Sequence, residues 1–141
     1  MEALAFLFFV FGHHPKPVNH KVAAIKSVFV EGSGSAYAEV LKKLDSSSCF
    51  AVADSSKNAD AVLKVTGESV AGGINSLLSL YDDPKTMEVT GVLIRKGQET
   101  PVWVDTKKGN GLLVAGSGVA SGYLVKSLWE AAGCSSKGER Q

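Results

Sequence analysis

Two glycine-rich turns are the first places where this chain could carry chemistry. "GSGSA" (residues 32–36) follows a β-type run, and "GSGVASG" (residues 116–122) precedes a helical run. Backbone N–H groups in such turns can cradle phosphate. The dinucleotide fingerprint needs a third glycine, however, and Tyr37 and Ser121 stand at that position. Neither turn carries the lysine of a P-loop. The sequence therefore favours a structural role for the small residues of the second turn, which let the last helix start close to the sheet or to a second chain.

Other residue types that could do chemistry are scattered. A metal site needs converging ligands, but the three histidines lie beside prolines in a predicted loop: His13, His14 and His20. The aspartates lie in predicted turns, where they favour local hydrogen bonding: Asp54, Asp60, Asp82 and Asp83. No serine stands in a G-x-S-x-G pattern. We expect a non-catalytic protein without metal or cofactor. The alternative is a small hydrolase or nucleotide-binding protein that uses a Gly-rich turn.

The elements that would position these residues follow from periodicity. Residues 22–32 ("VAAIKSVFVEG") are rich in β-branched residues and predict a strand. Residues 36–47 have apolar residues at helical spacing after Ser35. Further strands are predicted at "CFAVAD" (residues 49–54) and within residues 59–73. Residues 86–97 and 101–109 form a predicted hairpin around Gly97. A final helix spans residues 119–132, with Gly133 as its stop.

This element order predicts the fold class. The order β-α-β-β-β-β-α begins with a parallel βαβ unit and continues as an antiparallel meander. We expect an α+β two-layer sandwich, a mixed five-stranded sheet with both helices on one face. The predicted domain spans residues 22–133. Residues 1–21 would be an apolar segment and linker, and residues 134–141 a disordered tail.

Composition excludes some functions. The chain has 141 residues, of which 45% are hydrophobic, enough for one domain with its own core. The formal net charge is +1, and aromatic residues make up 8% of the chain. No basic block or aromatic platform is present, so we expect no nucleic-acid partner.

The N-terminal run "LAFLFFVFG" (residues 4–12) is too short to span a bilayer. Its length fits the apolar part of an export signal. Its flanks fit poorly, since Glu2 replaces a basic start and "GHHPKP" offers no small-residue cleavage site. The alternatives are a degenerate export signal, cleaved near His13, and an apolar segment that packs on the domain.

The cysteines Cys49 and Cys134 lie far apart in the chain, which excludes a CxxC redox pair. If the chain is exported, they can pair. Each follows a predicted helix, and two helices antiparallel to their preceding strands end at the same edge of the layer. The alternative is one buried thiol and one loose tail thiol.

Several phrases are similar to bacterial envelope proteins: "KSVFVEG", "CFAVAD", "NADAVLKVTGES" and "GVLIRKGQETPVWVDTKKG". The chain resembles, over residues 22–132, the core of the curli-secretion lipoprotein, the lipoprotein activators of penicillin-binding proteins and the N-terminal domain of the Tol translocation protein. In those families an "ADAVL" phrase (here residues 59–63) opens the third strand, and a Gly turn leads to a strand with tryptophan, here Trp103. No lipobox cysteine and no pore-forming insertion is present.

The resemblance implies a non-catalytic binding or assembly module in the periplasm or cell envelope. Its partner would be an envelope protein or a second copy of the chain. Pore formation does not carry over, because the insertions that form a pore are missing.

Two candidate partner surfaces remain. The segment "GGINSLLSLYDDPK" (residues 72–85) has apolar residues at helical spacing: Ile74, Leu77, Leu78 and Tyr81. It either caps the core or offers an apolar patch to a partner or a membrane surface. Trp103 is the second candidate. If Val102 and Val104 face the helices, Trp103 faces the uncovered side of the sheet, where it would anchor a partner; otherwise it is a structural core residue.

Overall fold

A computed structural model of the chain describes residues 17–70, 86–110 and 116–140. Three helices occur in these ranges: α1 (His20–Ala23), α2 (Gly34–Asp45) and α3 (Gly116–Ala132). Five strands occur in them: β1 (Ser27–Gly32), β2 (Ala51–Val52), β3 (Ala61–Val70), β4 (Thr86–Arg95) and β5 (Trp103–Asn110). A 3-10 turn, Ser56–Asn58, precedes β3.

The five strands form one mixed sheet in the order β2-β1-β3-β4-β5. Strand β1 lies parallel to both β2 and β3, whereas β3–β4 and β4–β5 are antiparallel. Helices α2 and α3 pack against each other and against the sheet. The predicted α+β fold with a mixed five-stranded sheet is confirmed.

Strand alternation divides the sheet into a covered face and an outer face. The covered face lies under α2 and α3 and carries fully buried residues in neighbouring registers, such as Leu63 beside Val30 and Leu93. The outer face is the side turned away from these helices. Its side chains are half-buried or exposed, and they begin with the row Phe29, Val62 and Ile94.

The helix layer sits close to the sheet because small residues line the contact. A Cβ added at Gly67 of β3 would lie only 2.7 Å from the Cβ of Ala36 in α2. Three small residues of α3 contact α2: Gly118, Ser121 and Gly122. The Cβ position of Gly122 is 3.5 Å from Cε of Lys43, and Ser121 Oγ donates to the carbonyl of Ala36 at 3.3 Å. The small-residue run therefore serves helix–helix packing.

The start of the domain differs from the predicted strand at residue 22. Asn19 caps α1, since its Oδ1 accepts from the N–H groups of Lys21 at 3.0 Å and Val22 at 3.3 Å. The backbone N–H of Asn19 also donates to the carbonyl of Ala131 at 2.8 Å. The β-branched residues of this stretch suggested a strand, but the asparagine cap and the contact with α3 select a helical turn.

The C-terminal residues also differ from the predicted disordered tail. Arg140 donates to three backbone carbonyls: Cys49 at 3.0 Å, Ala23 at 3.0 Å and Ile25 at 2.6 Å. Its guanidinium carbon lies 5.6 Å from the centre of the Phe50 ring. We call residues 134–140 the C-terminal clasp, because they tie the chain end to the loops around β1 and β2.

The clasp also contains the Cys49–Cys134 disulfide, with Cα atoms 6.0 Å apart. This is the pairing that the sequence predicted for an exported chain. Gly138 reinforces the closure. Its carbonyl accepts from the N–H of Ser48 at 3.1 Å, and a Cβ added to it would meet Trp129 at 2.7 Å.

Candidate interaction surfaces

The "ADAVL" phrase has a structural role at the atomic level. Asp60 Oδ2 accepts from the N–H groups of Lys26 at 3.0 Å and Ser27 at 3.3 Å, and the N–H of Asp60 donates to Ser27 Oγ at 2.9 Å. The hydrogen bond from the N–H of Lys26 lowers the pKa of Asp60. Desolvation opposes this, but the Ser27 hydrogen bond and the charges of Arg95 and Lys26 lower the pKa further. Asp60 therefore joins β3 to β1.

Trp103 lies on the covered face and packs against the core, which agrees with the structural alternative and not with an anchor on the uncovered side. It pairs with the buried Leu93, and its ring lies 3.1 Å from the Cβ position of Gly91. Val104 points to the outer face instead and is 57% exposed. Alternation alone fixes only that these two side chains point opposite ways; the packing of α3 decides which is covered.

Strand β5 is an edge of the sheet, and Asp105 and two lysines lie along it. Asp105 Oδ1 accepts from the N–H of Thr106 at 2.8 Å, and its Oδ2 accepts from Ser127 Oγ. Lys107 Nζ lies 3.5 Å from Asp105 Oδ2, and Lys108 follows it along the strand. An occupied N–H group and edge lysines oppose pairing with a further strand. This edge is therefore a poor site for strand addition.

The same contacts set the ionisation of Asp105. Partial burial raises its pKa, but the hydrogen bonds from Ser127 and from the N–H of Thr106, together with Lys107, outweigh burial and lower the pKa overall. Asp105 of β5 is thus held as a carboxylate that accepts a hydrogen bond from Ser127 of α3. No sequence pattern marked this pair, because the two residues lie 22 positions apart.

The outer face is polarised along the strands. Near the start of β3 it carries the apolar row Phe29, Val62 and Ile94. Val92 and Val104 pair one step further along, and Thr90 and Thr106 after them, with their hydroxyl oxygens 2.8 Å apart. Charged residues lie near both ends of this apolar and threonine-rich strip, and Lys64 lies within it, opposite Val92.

One end of the outer face is basic. A groove of about 650 Å³ there is floored by the apolar row and lined by four cations and two carboxylates. The cations are Lys57, Lys64, Arg95 and Lys96, and the carboxylates are Glu31 and Glu99. We call this the basic end.

Two of these cations have nearby carboxylates. Glu31 Oε2 lies 4.0 Å from Lys64 Nζ, and Arg95 acts on Asp60. Lys96 Nζ instead donates to the carbonyl of Lys57 at 2.6 Å. Within the described ranges, Lys57 and Lys96 form no ion pair.

The other end of the outer face is acidic. Glu68 of β3 lies directly opposite Glu88 of β4, and like charges in that position destabilise a strand pair. Lys108 of β5 lies beside Glu88, with Nζ 3.8 Å from Oε2. One lysine thus faces two carboxylates. We call these three residues the acidic end.

The Gly-rich turns show no built phosphate site in the part of the chain that is described. The Cβ position of Gly118 lies 3.9 Å from Oε2 of Glu39, so a carboxylate faces the start of α3. Ser33 at the start of α2 makes no side-chain capping hydrogen bond. A negative side chain beside the turn disfavours an anionic ligand.

The remaining candidate residues lie mostly outside the described ranges. This is the case for Ile74, Leu77, Leu78, Tyr81, His13 and His14. Among the described residues, no group of three or more His, Cys, Asp or Glu side chains could hold a metal ion. None of the helices described here combines the length and the apolar character needed to cross a membrane.

Comparison with solved structures identifies similar folds. The chain is similar to a PelC dodecamer from Paraburkholderia phytofirmans, with 20% identity, a TM-score of 0.50, and coverage of 82% of this chain and 89% of that one. A single-substitution variant of the same dodecamer gives 18% identity, a TM-score of 0.51, and coverage of 78% and 89%. No family model and no curated protein matches the sequence. At this identity the likeness concerns the fold.

Proposed function

We propose that this chain is a non-catalytic assembly module of the bacterial envelope that acts through protein–protein contacts, first of all with copies of itself. The observation that carries the proposal is the likeness to PelC, which was solved as a dodecamer and of whose chain 89% is matched. A similar fold that forms a dodecamer elsewhere supports self-association here.

Two further observations support the envelope location. The Cys49–Cys134 disulfide suits an oxidising compartment such as the periplasm. The apolar run at residues 4–12 has the length of the apolar part of an export signal. Mass spectrometry of the protein from its native host tests this point. We expect a mature chain that begins near His13, and a protein that retains residues 2–12 in the cytoplasm would contradict it.

Self-association is tested on the mature, oxidised chain. Native mass spectrometry and light scattering after size exclusion, over micromolar concentrations, should give one defined oligomer. A monomer throughout this range would contradict the proposal.

A thermal-shift panel of nucleotides with magnesium provides the test of the rival enzyme function. We expect no specific stabilisation, and a magnesium-dependent shift with one nucleotide would favour the rival.

A further inference from the structure

The two sheet edges make poor assembly surfaces, which directs attention to the outer face. Strand β2 has only two residues, and β5 is guarded by Asp105 and its neighbouring lysines. Strand addition needs a row of accessible backbone groups. An assembly of this chain is therefore better built from side chains than from a continuous sheet.

The outer face has the charge pattern that such a contact needs. The apolar row at the basic end and the acidic end lie about 20 Å apart, since Glu68 follows Val62 by six positions along β3. The strip between them carries valines and threonines, with Lys64 of the basic end opposite Val92. Opposite charges at the two ends of one face allow copies to contact each other end to end.

Each end also has a charge imbalance within the described chain. Lys57 and Lys96 form no ion pair there, and the register places Glu68 and Glu88 opposite each other with one lysine beside them. Bringing Lys57 and Lys96 of one copy near Glu68 and Glu88 of another would relieve both imbalances. The chain thus contains both halves of a complementary contact.

We propose that the occupant of the outer face is a second copy of this chain, with the acidic end of one copy (Glu68 and Glu88) seated on the basic groove of the next (Lys57 and Lys96). This inference rests on the proposed self-association and names its surface. The contact joins two different patches. When two copies use only one pair of ends, each keeps one patch for a further copy, and the chain of contacts closes into a ring when the rotation permits.

The test is a charge swap. Lys57→Glu with Lys96→Glu makes both ends acidic, and Glu68→Lys with Glu88→Lys makes both ends basic. Either double variant alone should associate about tenfold more weakly or worse than the wild type, because like charges would face each other. An equimolar mixture of the two should recover assembly, because each variant then complements the other. Native mass spectrometry distinguishes the two variants in the mixed oligomer.

Matched controls carry the same charge changes on the helix layer. Lys42→Glu with Lys126→Glu, and Asp45→Lys with Glu130→Lys, alter exposed residues of α2 and α3. These controls should assemble as the wild type does. Far-UV circular dichroism and melting temperature verify that every variant is folded.

The outcomes separate this inference from the proposed function. If the wild type assembles and the outer-face variants assemble equally well, the outer face is not the interface, while self-association stands. If both doubles weaken assembly but their mixture does not restore it, the complementary pairing is wrong. If the wild type is monomeric, the proposed function itself fails.

The salt concentration gives an independent check. Raising it to about 1 M shortens the electrostatic screening length to about 3 Å and should weaken the wild-type assembly.

Discussion

At the scale of single residues, Asp60 contributes stability that depends on pH. Its pKa lies below the ordinary value of 3.8, mainly because the folded carboxylate accepts from the N–H of Lys26. A lowered pKa means that the stabilisation is fully present above pH 3.8 and is lost as the pH falls through the folded value. We expect Asp60→Asn to flatten the acid side of the stability–pH profile, measured by urea unfolding from pH 2 to 7.

Asp105 also has a pKa below the ordinary value of 3.8, so Asp60→Asn should leave part of the pH dependence in place. Asp105→Asn should remove a further part. Asp54→Asn, at an exposed aspartate of a turn, is the control for the same change of side chain. An Asp60→Asn profile as steep as that of the wild type would show that its charge contributes nothing.

Two glycines should respond to alanine with opposite signs. Gly34 begins α2 with φ +87°, a left-handed conformation that costs an L-residue about 1–2 kcal/mol. Gly122 lies inside α3, where an added Cβ meets only Cε of Lys43 at an ordinary 3.5 Å. Alanine there should gain about 0.5–1 kcal/mol of helix propensity. Denaturant unfolding measures both. A Gly122→Ala variant less stable than the wild type would mean that α2 and α3 cannot accept a methyl group between them.

At the scale of elements, Gly67 sets how closely α2 lies on β3. The 2.7 Å between its Cβ position and the Cβ of Ala36 is too short for two carbons, so Gly67→Ala must displace backbone. We expect a loss of about 1–3 kcal/mol, as for other overpacked contacts. Ala36→Gly alone should cost about 1 kcal/mol of helix propensity.

The double variant tests the contact itself. Gly67→Ala with Ala36→Gly moves the methyl group from the helix to the strand, so it should be more stable than the sum of the two single effects implies. Strict additivity in denaturant unfolding would show that the two positions do not touch.

The elements also show what a sequence can predict. Strand alternation and helical spacing are local, and they gave the order of the strands and both long helices. Alternation placed Val102 and Val104 on one face of the sheet and Trp103 on the other. It could not predict which of these faces the helices cover. That choice depends on the packing of α3 against β5, a contact between segments far apart in the chain. The register that sets Glu68 against Glu88 is non-local in the same way.

At the scale of the whole molecule, the C-terminal clasp ties the end of the described chain to the segment just before β1. Asn19 binds Val102 and Ala131, while Arg140 binds the segments that precede β1 and β2. The sequence predicted a disordered tail here, because hydrogen bonds from an arginine to distant carbonyls leave no periodic pattern in the sequence. What closes the fold at this end is the combination of these hydrogen bonds with the disulfide.

Removing the disulfide should therefore weaken the whole domain rather than one element. The bond spans 85 positions, and in the chain-entropy model closing such a loop contributes about 4–5 kcal/mol. We expect Cys49→Ser with Cys134→Ser to lower the free energy of unfolding by a large part of this amount, and reduction of the wild type to do the same. Arg140→Ala, which leaves the disulfide in place, should cost less and should speed proteolysis of the C-terminal residues. Equal stability of the oxidised and reduced wild type in urea would show that the hydrogen bonds of the clasp suffice to close the chain.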